Sequence, residues 1–104
     1  MQHEEIKQIV EEIIRRISNT LEDFNYNKIG ERYERFAIAD DIVLYVDMLE
    51  HFFLDERHKS VGIGLYKEHH EIEYKKLVFY SVKDVENCIL EMLTTHADLF
   101  EEVA

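Results

Sequence analysis

The spacing of apolar residues changes period twice along this chain, from that of a helix to that of a strand and back again. In residues 4–25 the apolar side chains Ile6, Ile9, Val10, Ile13, Ile14, Ile17, Leu21 and Phe24 recur at steps of three and four, with Glu11, Glu12, Arg15, Arg16, Glu22 and Asp23 between them. That pattern predicts an amphipathic helix. Asn25, Asn27 and Gly30 supply the conformations that stop it. Beyond Gly30 the period falls to two. Residues 33–38 and 42–48 read as a hairpin turning on Ala39, Asp40 and Asp41, and residues 60–66 and 72–80 as a second one turning on residues 67–70. Lys75 and Lys76, followed by Leu77, Val78, Phe79 and Tyr80, break the alternation of the fourth strand, which predicts a bulge or a half buried on both faces. Residues 49–54 read equally as a strand continuation or a short helix. Ser81 and Asp84 stand as a capping box ahead of Val85, Cys88, Ile89, Met92, Leu93, Leu99, Phe100 and Val103, a second helical stripe.

With no proline and three glycines there is no linker, so residues 1–104 are expected to form a single domain. The predicted class is α+β: a four-stranded antiparallel meander flanked in sequence by N- and C-terminal amphipathic helices, in the order α-β-β-β-β-α. Two helices with one apolar stripe each are most simply buried on one face of that meander. Val43, Tyr45, Leu49 and Tyr66 are then expected on the other face. Of the aromatic residues in the sheet half (Tyr33, Tyr45, Phe52, Phe53, Tyr66, Tyr74, Phe79 and Tyr80), most are expected in the core.

Charge narrows the function. The chain carries 23 acids against 12 Lys and Arg, a formal net charge of −11. Residues 31–57 hold eight acids against three bases and residues 81–104 six against one, whereas residues 58–80 hold three against four. Such a field repels phosphate backbones and anionic lipid and speeds encounter with basic partners, so neither direct nucleic-acid nor membrane binding is expected. No run of ~18 apolar residues occurs, and Glu4 and Glu5 stand where a signal peptide would be basic, which points to the cytoplasm. A lone cysteine, Cys88, suits a reducing compartment.

No catalytic or metal-binding constellation emerges, and no cofactor is expected. His51, His58, His69 and His70 lie near acids but lack ligand spacing; adjacent His69 and His70 would point to opposite sides of an extended segment. His96, beside the last helical stripe, reads as a boundary histidine with a hydrogen-bond partner. Cys88 within that stripe behaves as a small hydrophobe with a raised pKa. Gly62 and Gly64 lack the third glycine and the following helix of a phosphate loop; they read instead as a strand that something packs against closely. Asp40 and Asp41 read as turn residues.

What remains is tyrosine beside acid on an open sheet face, a combination suited to binding protein. The candidate partner-binding set comprises Asp40, Asp41, Asp47, Glu50, Asp55 and Glu56 for steering, with Tyr45, Phe52 and Tyr66 as anchors. An acidic single domain of terminal helices around a four-stranded meander resembles the small immunity proteins with which bacteria neutralise toxins, including the family typified by YezG. The resemblance covers the plan of the whole chain and its charge, and carries no motif or functional residue with it. It implies a stoichiometric inhibitor of a basic partner such as a toxin nuclease, with carboxylates standing where phosphates would lie. The same physics serves a phage-type inhibitor of a nucleic-acid-binding protein. The alternative from another class is a structural or regulatory homodimer without catalytic activity; an enzyme ranks third.

Overall fold

A computed structural model describes residues 2–78 and 81–100. The elements follow in the expected order: α1 (His3–Asn25), β1 (Arg32–Ala39), β2 (Ile42–Phe53), β3 (Glu56–Lys67), β4 (His70–Leu77) and α2 (Val82–Thr95), ending in a 3-10 turn over Ala97–Phe100. The four strands form one antiparallel sheet in the order β1-β2-β3-β4.

Both helices lie on one face of this sheet because each has a single apolar stripe to bury. Ile6, Val10, Ile13, Ile17, Leu21 and Phe24 of α1 and Val85, Cys88, Ile89, Met92 and Leu93 of α2 close over Phe36, the alternate residues Ile42, Leu44, Val46 and Met48 of β2, and Val61, Ile63 and Leu65 of β3. Each fully buried Leu or Ile among them stabilises the fold by roughly 1.5–3 kcal/mol relative to exposure. Ser81 and Asp84 form the predicted capping box: the Asp84 backbone N–H donates to the Ser81 hydroxyl at 3.2 Å, and the Ser81 N–H donates to the Asp84 carboxylate at 2.8 Å. Helix α1 ends in a left-handed Asn27 (φ 62°), which lets the Lys28 N–H reach the Asp23 carbonyl at 3.0 Å and the Asn27 N–H the Phe24 carbonyl at 3.2 Å. No basic residue lies in the last turn of α1. Lys59, arriving from β3, supplies the missing cation: its ammonium donates to the Phe24 carbonyl, lies 4.3 Å from the centre of the Phe24 ring and stands 3.9 Å from Glu50.

Of the ambiguous residues 49–54, 49–53 resolve as strand and Leu54 as turn. β2 runs on to Phe53, and β2 and β3 outreach their neighbours, since the last pairs to β1 and β4 are Arg32 with Met48 and Leu77 with Val61. Residues 49–60 therefore project as a two-stranded arm. Its tip is a two-residue turn, Leu54 and Asp55, both at positive φ (54° and 62°), the geometry that matches strand twist in tight hairpins. The fourth strand pairs regularly through Lys75, Lys76 and Leu77, where a bulge or a doubly buried half was expected, and its register slips instead at Ile72, between the pairs Leu65–Glu73 and Tyr66–Glu71. Phe79, Tyr80 and Val103 lie outside the described residues.

Candidate functional site

The sheet face opposite the helices carries the alternate residues of every strand. Reading across it, the register sets Tyr33 opposite Asp47, Asp47 opposite Gly62 and Gly62 opposite Lys76; one step along, Arg35, Tyr45, Gly64 and Tyr74 form a second row. Ala37, Val43, Tyr66 and Glu71 form a third. Four tyrosines therefore gather on one surface from four strands. Tyr45 and Tyr66 meet edge to face at 5.4 Å between ring centres, and Tyr33 lies 6.2 Å from Tyr45.

Gly62 and Gly64 shape the floor. A Cβ on Gly62 would overlap the Tyr74 hydroxyl and stand 2.6 Å from Cζ, and one on Gly64 would come 2.8 Å from Tyr66 and 3.3 Å from Tyr74. Both rings therefore lie down across β3, in space that any other residue would fill. This is the close packing that the glycine pattern predicts. Tyr74 nevertheless keeps 39% of its surface exposed, and Tyr33 66%.

Asp47 borders this aromatic surface, between Tyr33 and Gly62 in the first row and next to the row of Tyr45 and Tyr74. It is half-buried, and burial raises its carboxyl above the usual value of 3.8. It has no ion-pair or side-chain hydrogen-bond partner among the described residues, and neither Arg35 nor Lys76 on the same face reaches it. Burial likewise raises the phenol of Tyr66, helped by its contact with Glu71, to which the hydroxyl donates at 3.4 Å, and that of Tyr74, helped by Asp47. Both phenols stay neutral donors at physiological pH.

Toward the hairpin turns the face opens into a groove of ≈ 620 Å³ lined by Arg35, Asp40, Asp41, Val43, Tyr45, Tyr66, Glu68 and His69. The two turns that wall it are tied together, the Glu68 N–H donating to the Asp41 carbonyl at 3.0 Å.

The predicted partner-binding residues fall in three places. Asp40, Asp41, Tyr45 and Tyr66 line the groove, and Asp47 adjoins it. Glu50 is on the helix side, between Lys59 and Arg57 at 3.9 and 3.7 Å, its own N–H donating to Glu31 at 3.1 Å. Phe52, Asp55 and Glu56 stand toward the arm tip, about 16 Å or more from Asp47 at ~3.3 Å per residue. Aromatic placement corrects one expectation: of the eight aromatics expected mostly in the core, the six that are described, Tyr33, Tyr45, Phe52, Phe53, Tyr66 and Tyr74, all lie outside it, and Phe36 of β1 is the sheet aromatic that the core buries among the described residues. Tyr33, Arg35 and Tyr74, which no local sequence pattern marks, complete the site.

The histidines and the cysteine have structural surroundings. His96 bonds Glu73 at 2.8 Å, Cys88 is buried with its thiol pushed up chiefly by burial, and His51 stacks on His58 across the arm at 5.6 Å. No group of three His, Cys, Asp or Glu among the described residues is placed to hold a metal. No helix among them is long and apolar enough to cross a membrane.

No protein-family model, no curated protein and no solved structure matches this chain.

Proposed function

We propose that this chain is a small acidic protein-binding domain, an immunity-type inhibitor that neutralises a basic partner such as a toxin nuclease by covering the partner's basic surface. One observation carries the reading: four tyrosines and an unpaired carboxylate share a sheet face that no element among the described residues covers, beside a groove edged by Asp40 and Asp41. Tyrosine brings rigid area with a polar tip, and the surrounding acids answer Lys and Arg. The chain-wide charge of −11 supplies the steering field.

The test is kinetic. The partner is captured from the source cell with the wild-type chain, and its association is then measured at low and high salt against the variant Asp40→Asn/Asp41→Asn. Slower association with a flatter salt dependence supports the reading, because rim charges act on encounter. Association unchanged at both salts removes its physical basis. A homodimer without a partner would show itself instead as a mass that rises with concentration.

A further inference from the structure

Asp47 is costly where it is. A carboxylate half-buried among phenol rings loses hydration, and no cation of the described chain compensates it. Such uncompensated groups concentrate where function, rather than stability, has set the residue. The neighbouring glycines carry the same message, since a glycine in a strand interior costs roughly 0.5–1 kcal/mol relative to alanine. Here two of them, alternating along β3, leave room for the Tyr66 and Tyr74 rings against the strand that pairs with that carboxylate.

Resting on the basic-partner reading above, we propose that Asp47, Tyr74 and Tyr66 form a seat for one arginine side chain of that partner. The geometry selects guanidinium over ammonium. The aromatic surface is a shelf, open on one side, rather than a cage that could surround a compact charge. A flat guanidinium stacks on the exposed face of Tyr74 and turns its N–H edge to both oxygens of Asp47. Guanidinium also sheds water more readily than ammonium, which suits a carboxylate already partly desolvated. The hydroxyl of Tyr74 lies over Gly62, directly across from Asp47 in the register, so the ring and the carboxylate border the same space. Arg35 on β1 and Lys76 on β4 share this face, and neither forms an ion pair with Asp47.

The test uses the whole chain, labelled with nitrogen-15, and two capped tripeptides, Gly-Arg-Gly and Gly-Lys-Gly, titrated at low salt. The arginine peptide is expected to bind saturably in the millimolar range, about −4 kcal/mol, moving the amides of Asp47, Gly62 and Gly64 and the ring signals of Tyr74. The lysine peptide is expected to bind several-fold more weakly. Asp47→Asn should weaken the arginine peptide about tenfold, the loss of one charged hydrogen-bonded pair at ~1.4 kcal/mol. Tyr74→Phe should retain binding and Tyr74→Ala lose it, because the stacking surface rather than the hydroxyl is used. Since Asp47 and Tyr74 lie outside the core, all three variants should keep the wild-type spectrum elsewhere.

Equal responses to the two peptides, spread over the acidic turns and indifferent to Asp47→Asn, would overturn the seat and leave the basic-partner reading standing. Absence of any response on the open face, with the captured partner still bound equally by wild type and Asp47→Asn, overturns the seat as well. The basic-partner reading itself fails separately, when association of the captured partner is insensitive to salt and to Asp40→Asn/Asp41→Asn.

Discussion

Replacing Gly62 by alanine sets two measurable effects against each other. The added Cβ would overlap the Tyr74 hydroxyl and meet Cζ at 2.6 Å, so the ring must lift off β3 while the backbone, extended at this position, stays. A tyrosine in a folded protein covers roughly 200 Å², and with 39% of its surface exposed Tyr74 hides about 120 Å² of that. Lifting the ring forfeits about half, ~60 Å², which at ~25 cal/mol per Å² is about 1.5 kcal/mol. Alanine in place of glycine returns about 0.5–1 kcal/mol through the unfolded chain and the strand. The net is a destabilisation of about 0.5–1 kcal/mol, a fall in Tm of roughly 2–8 °C for a domain of this size. Urea denaturation of a double-mutant cycle isolates the cause. In a Tyr74→Ala background the clash disappears, and Gly62→Ala should stabilise by about 0.5–1 kcal/mol, a coupling near 1.5 kcal/mol of reversed sign. Additive effects, with Gly62→Ala acting identically in both backgrounds, would show that Tyr74 does not lie on the glycine floor and that the shelf is misdrawn.

Three further outcomes follow from the fold and its electrostatics. Ile13→Asp or Ile89→Asp places a charge between the helices and the sheet at a cost of several kcal/mol, and each should abolish cooperative unfolding in denaturant titrations; two well-folded variants would refute the architecture. Lys59→Met removes the cation at the end of α1 and leaves Glu50 without that partner, and should cost about 1–2 kcal/mol by urea denaturation; a neutral result would mean the helix end is satisfied without it. The raised carboxyl of Asp47 means that the native state binds its proton more tightly than the unfolded chain does, so ionised Asp47 costs stability at neutral pH and the cost fades as pH falls through its folded pKa, above 3.8. Asp47→Asn should therefore be more stable than wild type at neutral pH, with the gap narrowing on acidification, whereas a gap that widens would refute the burial of this group.

How much of this could be read from residue order depended on whether the signal was local. The helix over His3–Asn25, the Ser81–Asp84 capping box and the alternation along Ile42–Met48 were legible because each repeats within a few residues. The faces of the aromatics were legible only in part: the alternation placed Tyr45 and Tyr66 on the open face, but not Tyr33 and Tyr74 beside them. Tyrosine favours strands whichever way it points, and Tyr33 and Tyr74 reach the open side only through the register of β1 and β4 against the phase of Leu44, Val46, Ile63 and Leu65. Charge clustering in residues 31–57 misled for a related reason. β2 is 12 residues long, ~40 Å at ~3.3 Å per residue, so Asp41 and Asp55, close in the acidic stretch, stand at its opposite ends. Tyr74 reached the site through two strand registers, Tyr45 with Gly64 and Gly64 with Tyr74, which no local pattern encodes. Gly62 and Gly64 gave the one usable hint, since two small residues alternating in a strand ask for something large to lie across them.

The central claim, that the open sheet face receives a basic protein, is tested most directly by hydrogen exchange of this chain alone and in complex with its captured partner. Peptides carrying Asp40, Asp41, Tyr45, Asp47, Tyr66 and Tyr74 are predicted to gain protection on binding while those of α1 and α2 do not change, and the protection should weaken as salt is raised. Protection confined to the helices, with the strands of the open face exchanging as they do in the free chain, would contradict it.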